Sequence, residues 1–318
     1  MKPIASTLVQ SQPAWVLLGL GLMCASMLAR AVSWHAILRA AVPDATPRLM
    51  DAMQGTMIGV LMSATLPARL GEPSRALIVA RRLGRPRDRL PAVLGTLISQ
   101  TLLNVLALVI LGFVMFTTIG LFAGRQQALV WYAIAPFAVL CMVLVAPALV
   151  RSGLPSRSTR LHRWMTQARE SLARVRSGLA VFRSPKLGVQ AALMQLGAWA
   201  LQCVSCFVLL EALGLHLDMG AAAAVLFAVN VTAVLPVTPS NLGVFQAACL
   251  AVLTGAYGVD AAQALGYGII LQAVEIATAV AIGTPALLRE GLSWREVRLR
   301  ALHTAPVSLG PVPREAEA

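Results

Sequence analysis

The chain has 318 residues, of which 58% are hydrophobic and 12% are charged, and its mean hydropathy is +0.76. Soluble domains carry about 25% charged residues, so the composition excludes a soluble globular protein and predicts an all-α polytopic membrane protein. The net charge is +13, but the basic residues lie in segments that flank apolar runs, which argues against nucleic-acid binding.

The basic residues concentrate in three segments, at 69–89, 151–186 and 289–314. The positive-inside rule places such segments in the cytoplasm. We therefore expect loops 81–89 and 151–186 and the C-terminus to be cytoplasmic. The connections between them hold Arg125, Asp218 and Asp260 and are expected outside.

The N-terminal part predicts one uncleaved span at 15–28, followed by a polar connection at 30–51. The next apolar run, 53–66, is short and ends in a Pro- and Gly-containing stretch before residues 76–80. If 53–66 crosses the membrane, Arg30, Arg39 and Arg48 lie outside. If it re-enters as a hairpin from the cytoplasm, those three arginines lie inside, and the arginine count favours this alternative.

Residues 92–116 and 128–150 are long enough to span. The linker 151–186 alternates apolar residues and arginines between 161 and 182, which fits either an amphipathic helix on anionic lipid or a solvated helix. Residues 187–213 and 262–288 are further spans.

Two apolar runs, 221–234 and 247–257, are each too short to cross a hydrocarbon core, which takes roughly 20 helical residues. Between them lie Pro236, Pro239 and Gly243, which interrupt a continuous helix. Short, Pro- and Gly-interrupted helices point to a transporter binding site. The pattern therefore predicts a re-entrant hairpin, which Pro67, Gly71 and Pro73 echo earlier in the chain.

Altogether the sequence predicts about six to eight membrane-embedded helical segments, with one or two re-entrant hairpins in the arrangement of an inverted repeat. The integral membrane domain is expected at 1–288. A cytoplasmic tail, disordered in part, is expected at 289–318.

Arg69, Glu72 and Arg75 recur at spacings of three and share a helix face loosely. Two guanidinium groups beside a helix end suit a phosphate, and Glu72 would hold them or compete with the anion. The alternative is a boundary cluster that only anchors topology.

An acidic residue, Glu275, lies in the middle of the last span, and Gln272 lies one turn before it. An intramembrane carboxylate is expected to face a cavity or a charged partner. Further polar residues in membrane segments are either interhelical hydrogen-bonding groups or a lining for a lipid headgroup. These residues are Gln100, Thr101, Asn104, Gln195 and Gln202. In the interrupted stretch, Thr238, Ser240, Asn241 and Gln246 are further candidates for substrate binding.

No motif of a hydrolase, a P-loop or a zinc peptidase occurs, so we expect no enzyme activity and no soluble cofactor. The cysteines lie in apolar segments, and the C-x-x-C pair Cys203 and Cys206 lacks a second pair or a nearby histidine. We expect packing thiols and no metal site.

Residues 63–76 read Ser-Ala-Thr-Leu-Pro-Ala-Arg-Leu-Gly-Glu-Pro-Ser-Arg-Ala, and 235–246 read Leu-Pro-Val-Thr-Pro-Ser-Asn-Leu-Gly-Val-Phe-Gln. These stretches resemble the N-x-x-L-P-A-R-x-G-E-x-x-R-A and L-P-x-T-P-G-G-x-G-x-x-E patterns of the lysylphosphatidylglycerol synthase transmembrane-region family. The family's E-R-x-x-D is Gln-Thr-Leu-Leu-Asn at 100–104, its Gly-Gly is Ser240-Asn241, and its closing Glu is Gln246.

The resemblance implies a protein of the bacterial inner membrane. In large fused members, this kind of domain moves aminoacylated phospholipid between leaflets, and a separate soluble domain makes that lipid. We expect a flippase or transporter of a phosphate-bearing or other polar-headgroup lipid. The alternatives are a non-transporting scaffold for a lipid- or glycan-modifying enzyme and, less favoured, an intramembrane enzyme. Expected partners are membrane lipids, a further copy of the chain or such an enzyme.

Overall fold

The computed structural model describes residues 13–65, 71–118, 178–232 and 241–290. These residues are helical apart from short connections and include two 3-10 turns, Pro43–Ala45 and Gly178–Arg183. The helices in chain order are α1 (Pro13–Ala41), α2 (Leu49–Thr65), α3 (Gly71–Arg82), α4 (Pro86–Thr118), α5 (Pro185–Ala212), α6 (Met219–Thr232), α7 (Val244–Tyr257) and α8 (Ala261–Arg289).

Four of these helices, α1, α4, α5 and α8, are long and apolar enough to cross a membrane. They confirm the all-α polytopic class and, within a few residues, the spans predicted at 92–116, 187–213 and 262–288, whereas α1 extends well beyond the span predicted at 15–28. The predicted span 128–150, most of the linker helix 161–182 and the tail lie outside the described residues.

The predicted polar connection at 30–51 is wrong in its first part, because α1 continues through Arg30 to Ala41. Trp34, Ile37 and Leu38 are fully buried on this extension. Their burial stabilises the additional turns, and Arg30 finds polar partners inside the protein, so the arginine does not end the helix.

Helices α6 and α7 contain 14 residues each and are about 21 Å long, less than a hydrocarbon core of about 30 Å. Asn241 and Gly243, which precede α7, have φ angles of 53° and 84°. The chain thus turns in a left-handed conformation just before α7, as expected for an interrupted helix pair.

Helices α2 and α3 form an antiparallel hairpin with a contact face of small residues. Gly55 lies against Val79 and Gly59 against Arg75, while a Cβ on Gly71 would overlap Gly59 O and Ser63 Oγ. The two backbones approach this closely because glycines occupy the contact. Pro73 does not break the backbone as predicted, because it lies in the first turn of α3, where no intrahelical N–H bond is lost.

Ion pairs bring several helix ends together. Arg82, at the end of α3, contacts Asp51 in the first turn of α2 at 2.8 Å and Glu290 after α8 at 2.5 Å. Arg89 of α4 contacts Asp44 after α1 at 2.8 Å and lowers the pKa of Asp44, mainly through this hydrogen bond. Both ends of the α2–α3 hairpin therefore lie at one end of the bundle. This agrees with the hairpin alternative and contradicts the crossing alternative.

Helices α1 and α5 pack antiparallel along their lengths. The Ser33 hydroxyl donates to Ala191 O at 2.8 Å, and the Ser205 hydroxyl donates to Gly19 O at 2.8 Å. Ser205 follows Ser33 along the chain by as many residues as Ala191 follows Gly19. If α5 is the repeat of α1, Ser205 therefore corresponds to Ser33 and Ala191 to Gly19, and the two hydrogen bonds are counterparts.

The whole packing pattern follows this correspondence. The set α1–α4 corresponds to the set α5–α8, and every contact within one set has its counterpart in the other. The correspondence also holds for contacts between the two sets. Helix α8 packs on α2, and their counterparts α4 and α6 likewise pack on each other. The α2–α3 hairpin opens at one end of the bundle and the α6–α7 hairpin at the other, which is the arrangement of an inverted repeat.

Candidate functional site

Arg30 lies where α1 faces α5. Its Nη2 donates to Gln202 Oε1 at 2.5 Å, and its Cζ lies 5.7 Å from the centre of the Trp199 ring. Gln100 Nε2 of α4 donates to the backbone oxygen of Arg30 at 3.3 Å. Arg30 and Gln202 are counterparts in the repeat, so this hydrogen bond lies at the junction of the two halves.

Arg75 lies one turn from the start of α3 and is only 9% exposed. Its Nη2 forms a 2.7 Å ion pair with Glu72 Oε2, and its Cζ lies 4.8 Å from the centre of the Trp34 ring. Trp34 Nε1 donates to Thr96 Oγ1 at 2.9 Å, which fixes the ring. Glu72 therefore contacts Arg75, as expected if its role is to hold an arginine in place.

Arg30 interacts electrostatically with Arg75, Glu72 and Glu275, so four charged groups from α1, α3 and α8 form one cluster. Glu275 stands at the midpoint of α8 and is half-buried. Among the described residues it forms no direct ion pair or hydrogen bond through its carboxylate, and it interacts electrostatically with Arg30.

A layer of amides lies beside the arginines. Asn104 Oδ1 accepts from Gln195 Nε2 at 2.6 Å and from Trp199 Nε1 at 3.1 Å. These bonds join neighbouring helices, and interhelical hydrogen bonding is one of the two roles expected for Asn104 and Gln195. They also orient the Trp199 ring over the Arg30 guanidinium.

Several buried polar atoms in this region have no hydrogen-bond partner among the residues that the structure describes. They are Arg30 Nε, Arg75 Nε, Gln100 Oε1 and Gln195 Oε1. A buried donor or acceptor without a partner costs about 1–3 kcal/mol. Two of the atoms are guanidinium donors of neighbouring arginines, so the cluster has free capacity to bind an acceptor such as a phosphate oxygen.

The second hairpin contributes a separate polar contact. Gln246 Nε2 donates to Gln272 Oε1, and Gln246 Oε1 accepts from the Gly243 N–H at 2.7 Å. An open groove between α7 and α8 runs beside this pair and is lined by Gly243, Gln246, Ala247, Leu250, Leu265 and Ile269. Because Gln272 precedes Glu275 by one turn, the start of α7 lies close to the level of the charged cluster.

The structure brings six of the predicted site residues into two neighbouring groups. Gln100 contacts Arg30, which interacts electrostatically with Glu72, Arg75 and Glu275, and Gln246 and Gln272 form the second group. Asn104 lies in the amide layer, and Asn241 precedes α7 with its left-handed φ. Arg69, Thr238, Ser240, Pro67, Pro236 and Pro239 lie outside the described residues.

Sequence reasoning missed Arg30, Trp199 and the role of Gln202. The available signal was the apolar pattern that continues beyond Arg30 to Leu38, which makes Arg30 an arginine within a span. Within the described residues, Cys24, Cys203, Cys206 and Cys249 are free thiols, and no group of three potential metal ligands occurs.

Comparison with known proteins gives a family. No curated protein and no solved structure matches the chain. Residues 1–283 match the family described as the lysylphosphatidylglycerol synthase TM region, in agreement with the two motifs and with the helical membrane fold. The chain belongs to the lysylphosphatidylglycerol synthase TM region family.

Proposed function

We propose that this protein translocates a phosphate-bearing lipid between the leaflets of a bacterial inner membrane. The observation that carries the proposal is the pair of neighbouring arginines, Arg30 and Arg75, inside a bundle of membrane-spanning helices, each with an unpaired Nε. The proposed substrate is a lipid with an anionic headgroup. Its phosphate occupies the cluster while its acyl chains remain in the bilayer.

A cation inside a membrane is expensive, and such groups commonly mark substrate or ion pathways. Arginine offers planar donors that match the oxygens of a phosphate. Two tryptophan rings hold the guanidinium groups in place, Trp199 under Arg30 and Trp34 under Arg75. The planar guanidinium donors thus suit an acceptor with several charged oxygens, which favours a phosphate over a neutral headgroup.

The two hairpins add positive potential at the same level. Helices α3 and α7 both begin at a hairpin tip, next to Glu72 and Arg75 in one half and next to Gln246 in the other. The N-terminus of a helix carries partial positive charge, and broken helices of transporters direct such ends at anionic substrate groups. Arg69, which belongs to the same motif as Arg75, is proposed to contribute a further cation.

The inverted arrangement supports a translocation role rather than static binding. Hairpins that enter from opposite ends allow the central site to open alternately toward each leaflet. By the positive-inside rule, the end with Arg82 and loop 81–89 is proposed to be cytoplasmic, together with 151–186 and the C-terminus. We propose no catalytic role for the chain.

Lipid retention tests the proposal. The full chain is purified in mild detergent together with Arg30→Gln, Arg75→Gln and, as a matched control, Arg39→Gln, which changes an exposed arginine of the same helix as Arg30. Mass spectrometry of the extracted lipids should find phosphate-bearing lipid enriched in wild type and Arg39→Gln and depleted in the other two. Equal retention in all four proteins would contradict the proposal and leave a scaffold as the better interpretation.

A further inference from the structure

Helix α4 carries Thr96, Gln100 and Asn104 at intervals of four residues, which places them along one face of the helix. Thr96 and Asn104 each accept a hydrogen bond from the indole N–H of a tryptophan, and these two rings lie against the two arginines of the site. Gln100, between them, donates to the backbone oxygen of Arg30. One face of α4 is therefore bonded to the structures that support both arginines.

The first support is the ring of Trp34. The single proton of the Thr96 hydroxyl is donated to Val93 O at 2.6 Å, so its oxygen is left to accept the Trp34 N–H at 2.9 Å. Both side chains are fully buried, and an added Cβ on Gly55 would approach the Trp34 ring to 3.0 Å. The ring is thus held in one plane, and Arg75 Cζ lies 4.8 Å from its centre.

The second support is the ring of Trp199. Asn104 Oδ1 accepts from Trp199 at 3.1 Å and from Gln195, one turn earlier on α5, at 2.6 Å, so one oxygen holds this turn of α5 against α4. Arg30 Cζ lies 5.7 Å from the centre of the Trp199 ring. Arg30 and Trp34 are four residues apart on α1, so the two supported guanidinium groups belong to neighbouring turns of that helix.

The plane of each ring matters because the donors of a guanidinium group lie in its own plane. A guanidinium that lies on an aromatic face takes its orientation from the ring. Binding sites need their side chains held to within about 10–20° of the productive orientation. A buried indole N–H that loses its acceptor is costly, so the ring shifts toward another partner. Removal of the acceptor therefore changes the direction of the arginine donors and leaves their charge unchanged.

We propose that Thr96 and Asn104 are positioning residues of the lipid site, and that each acts on an arginine through the indole between them. This inference rests on the proposed function and gives α4 the role of setting the orientation of the two guanidinium groups. Neither residue needs to touch the lipid. Hydrogen bonds that served packing alone would contribute to stability and leave the affinity for lipid unchanged.

Titration calorimetry of the full chain with dihexanoyl-phosphatidylglycerol, a short-chain lipid with a phosphodiester headgroup, separates these two roles. Thr96→Val and Asn104→Leu remove the acceptors with little change of side-chain size, and Thr96→Ser keeps the hydroxyl. The matched control is Ser99→Ala, which removes another buried hydroxyl of α4, one that donates to Gly178 O at 2.7 Å. Thermal unfolding of each variant records the loss of stability separately.

Thr96→Val and Asn104→Leu should each lower the affinity about tenfold, the lower end of the effect of removing a hydrogen bond that orients a ligand-binding side chain. Thr96→Ser and Ser99→Ala should bind lipid as wild type does, even where their unfolding temperature falls. Wild-type affinity in Thr96→Val and Asn104→Leu would overturn the positioning role and leave the proposed function intact. Absence of binding by wild type would overturn the proposed function as well.

Fluorine NMR of protein labelled with 5-fluorotryptophan gives a second readout, which uses wild type itself. The Trp34 and Trp199 signals are assigned by their disappearance in Trp34→Phe and Trp199→Phe. Both signals should shift when the lipid is added, because each ring lies against an arginine that binds the phosphate. Lipid binding that leaves both signals of wild type unchanged would contradict the inference, whether or not the α4 variants fold.

Discussion

Arg30 and Arg75 have the same kind of surroundings, a tryptophan face on one side and a polar partner on the other. Arg30 has Trp199 and Gln202, and Arg75 has Trp34 and Glu72. An arginine that only anchors topology needs neither feature, since the positive-inside rule counts lysine and arginine alike. The fixed planar geometry is therefore an observation that favours the proposed binding role over an anchoring role.

Arg75→Gln should weaken the binding of dihexanoyl-phosphatidylglycerol roughly tenfold to a hundredfold, because it removes a charge-assisted hydrogen bond of about 1.5–3 kcal/mol. Arg75→Lys should restore only part of the affinity, since an ammonium keeps the charge but loses the planar fork. Titration calorimetry measures both. Full affinity of the lysine variant would identify Arg75 as a general positive charge and contradict the proposed contact.

The residues of the site differ in how far sequence could predict them. Glu275 and Arg75 stood out because a charge in a span or a Gly- and Pro-rich turn is locally unusual. Arg30 did not, because it stands near the end of a strongly apolar run and its main partners, Gln202 and Trp199, lie far away in sequence. Only the antiparallel packing of α1 on α5 brings them together.

At the scale of elements, the α2–α3 hairpin depends on close contact between backbones. The α3 end of that contact is Gly71, where a Cβ would overlap the backbone oxygen of Gly59 and the hydroxyl of Ser63. The short length of α3, 12 residues, leaves few other contacts to compensate for separation of the two helices.

Gly71→Ala should therefore lower stability by about 1–3 kcal/mol, the usual range for overpacking. The matched control is Gly197→Ala on α5, where the added Cβ meets no atom within 4 Å and the helix gains alanine's higher propensity. Thermal unfolding in detergent compares the two variants. An unchanged unfolding temperature for Gly71→Ala would show that the hairpin tolerates a wider separation than its structure has.

The hairpins themselves were predictable from local signals. Runs too short to span, with proline and glycine between them, predicted both pairs, and α6 and α7 have the expected lengths. For the α2–α3 pair, the arginine count favoured a hairpin over a crossing segment only by three residues against one. The ion pairs of Arg82 with Asp51 and Glu290, contacts between residues distant in sequence, bring both ends of this hairpin to one end of the bundle.

At the scale of the whole molecule, the two halves are inverted copies in packing but not in chemistry. At the junction the arginine of one half, Arg30, meets the glutamine of the other, Gln202. The hairpin tips likewise carry Glu72 and Arg75 in one half and Gln246 in the other. Because the repeats have diverged at these positions, we expect the headgroup site to be asymmetric about the junction.

The inverted arrangement predicts opposite sides for the two ends of the bundle. Cysteines introduced singly at Arg85 and at Asp260 should react with a membrane-impermeant maleimide from opposite sides of the membrane, Arg85 only after the cytoplasm is opened and Asp260 in intact cells. The parent protein, whose own described cysteines lie in helices of the bundle, serves as the background. Labelling of both sites from the same side would contradict the inverted arrangement of the hairpins.

The most direct test of the account is lipid movement by the purified protein. Proteoliposomes are prepared with wild type, Arg30→Gln or Arg39→Gln, and contain fluorescently labelled phosphatidylglycerol in both leaflets. Dithionite bleaches the label that is exposed outside and follows its arrival from the inner leaflet. Wild type and Arg39→Gln should bleach nearly all of the label, whereas Arg30→Gln should leave the half that protein-free vesicles protect. Protection of half of the label by wild type, or full bleaching by Arg30→Gln, would contradict the claim that this arginine site carries lipid across the membrane.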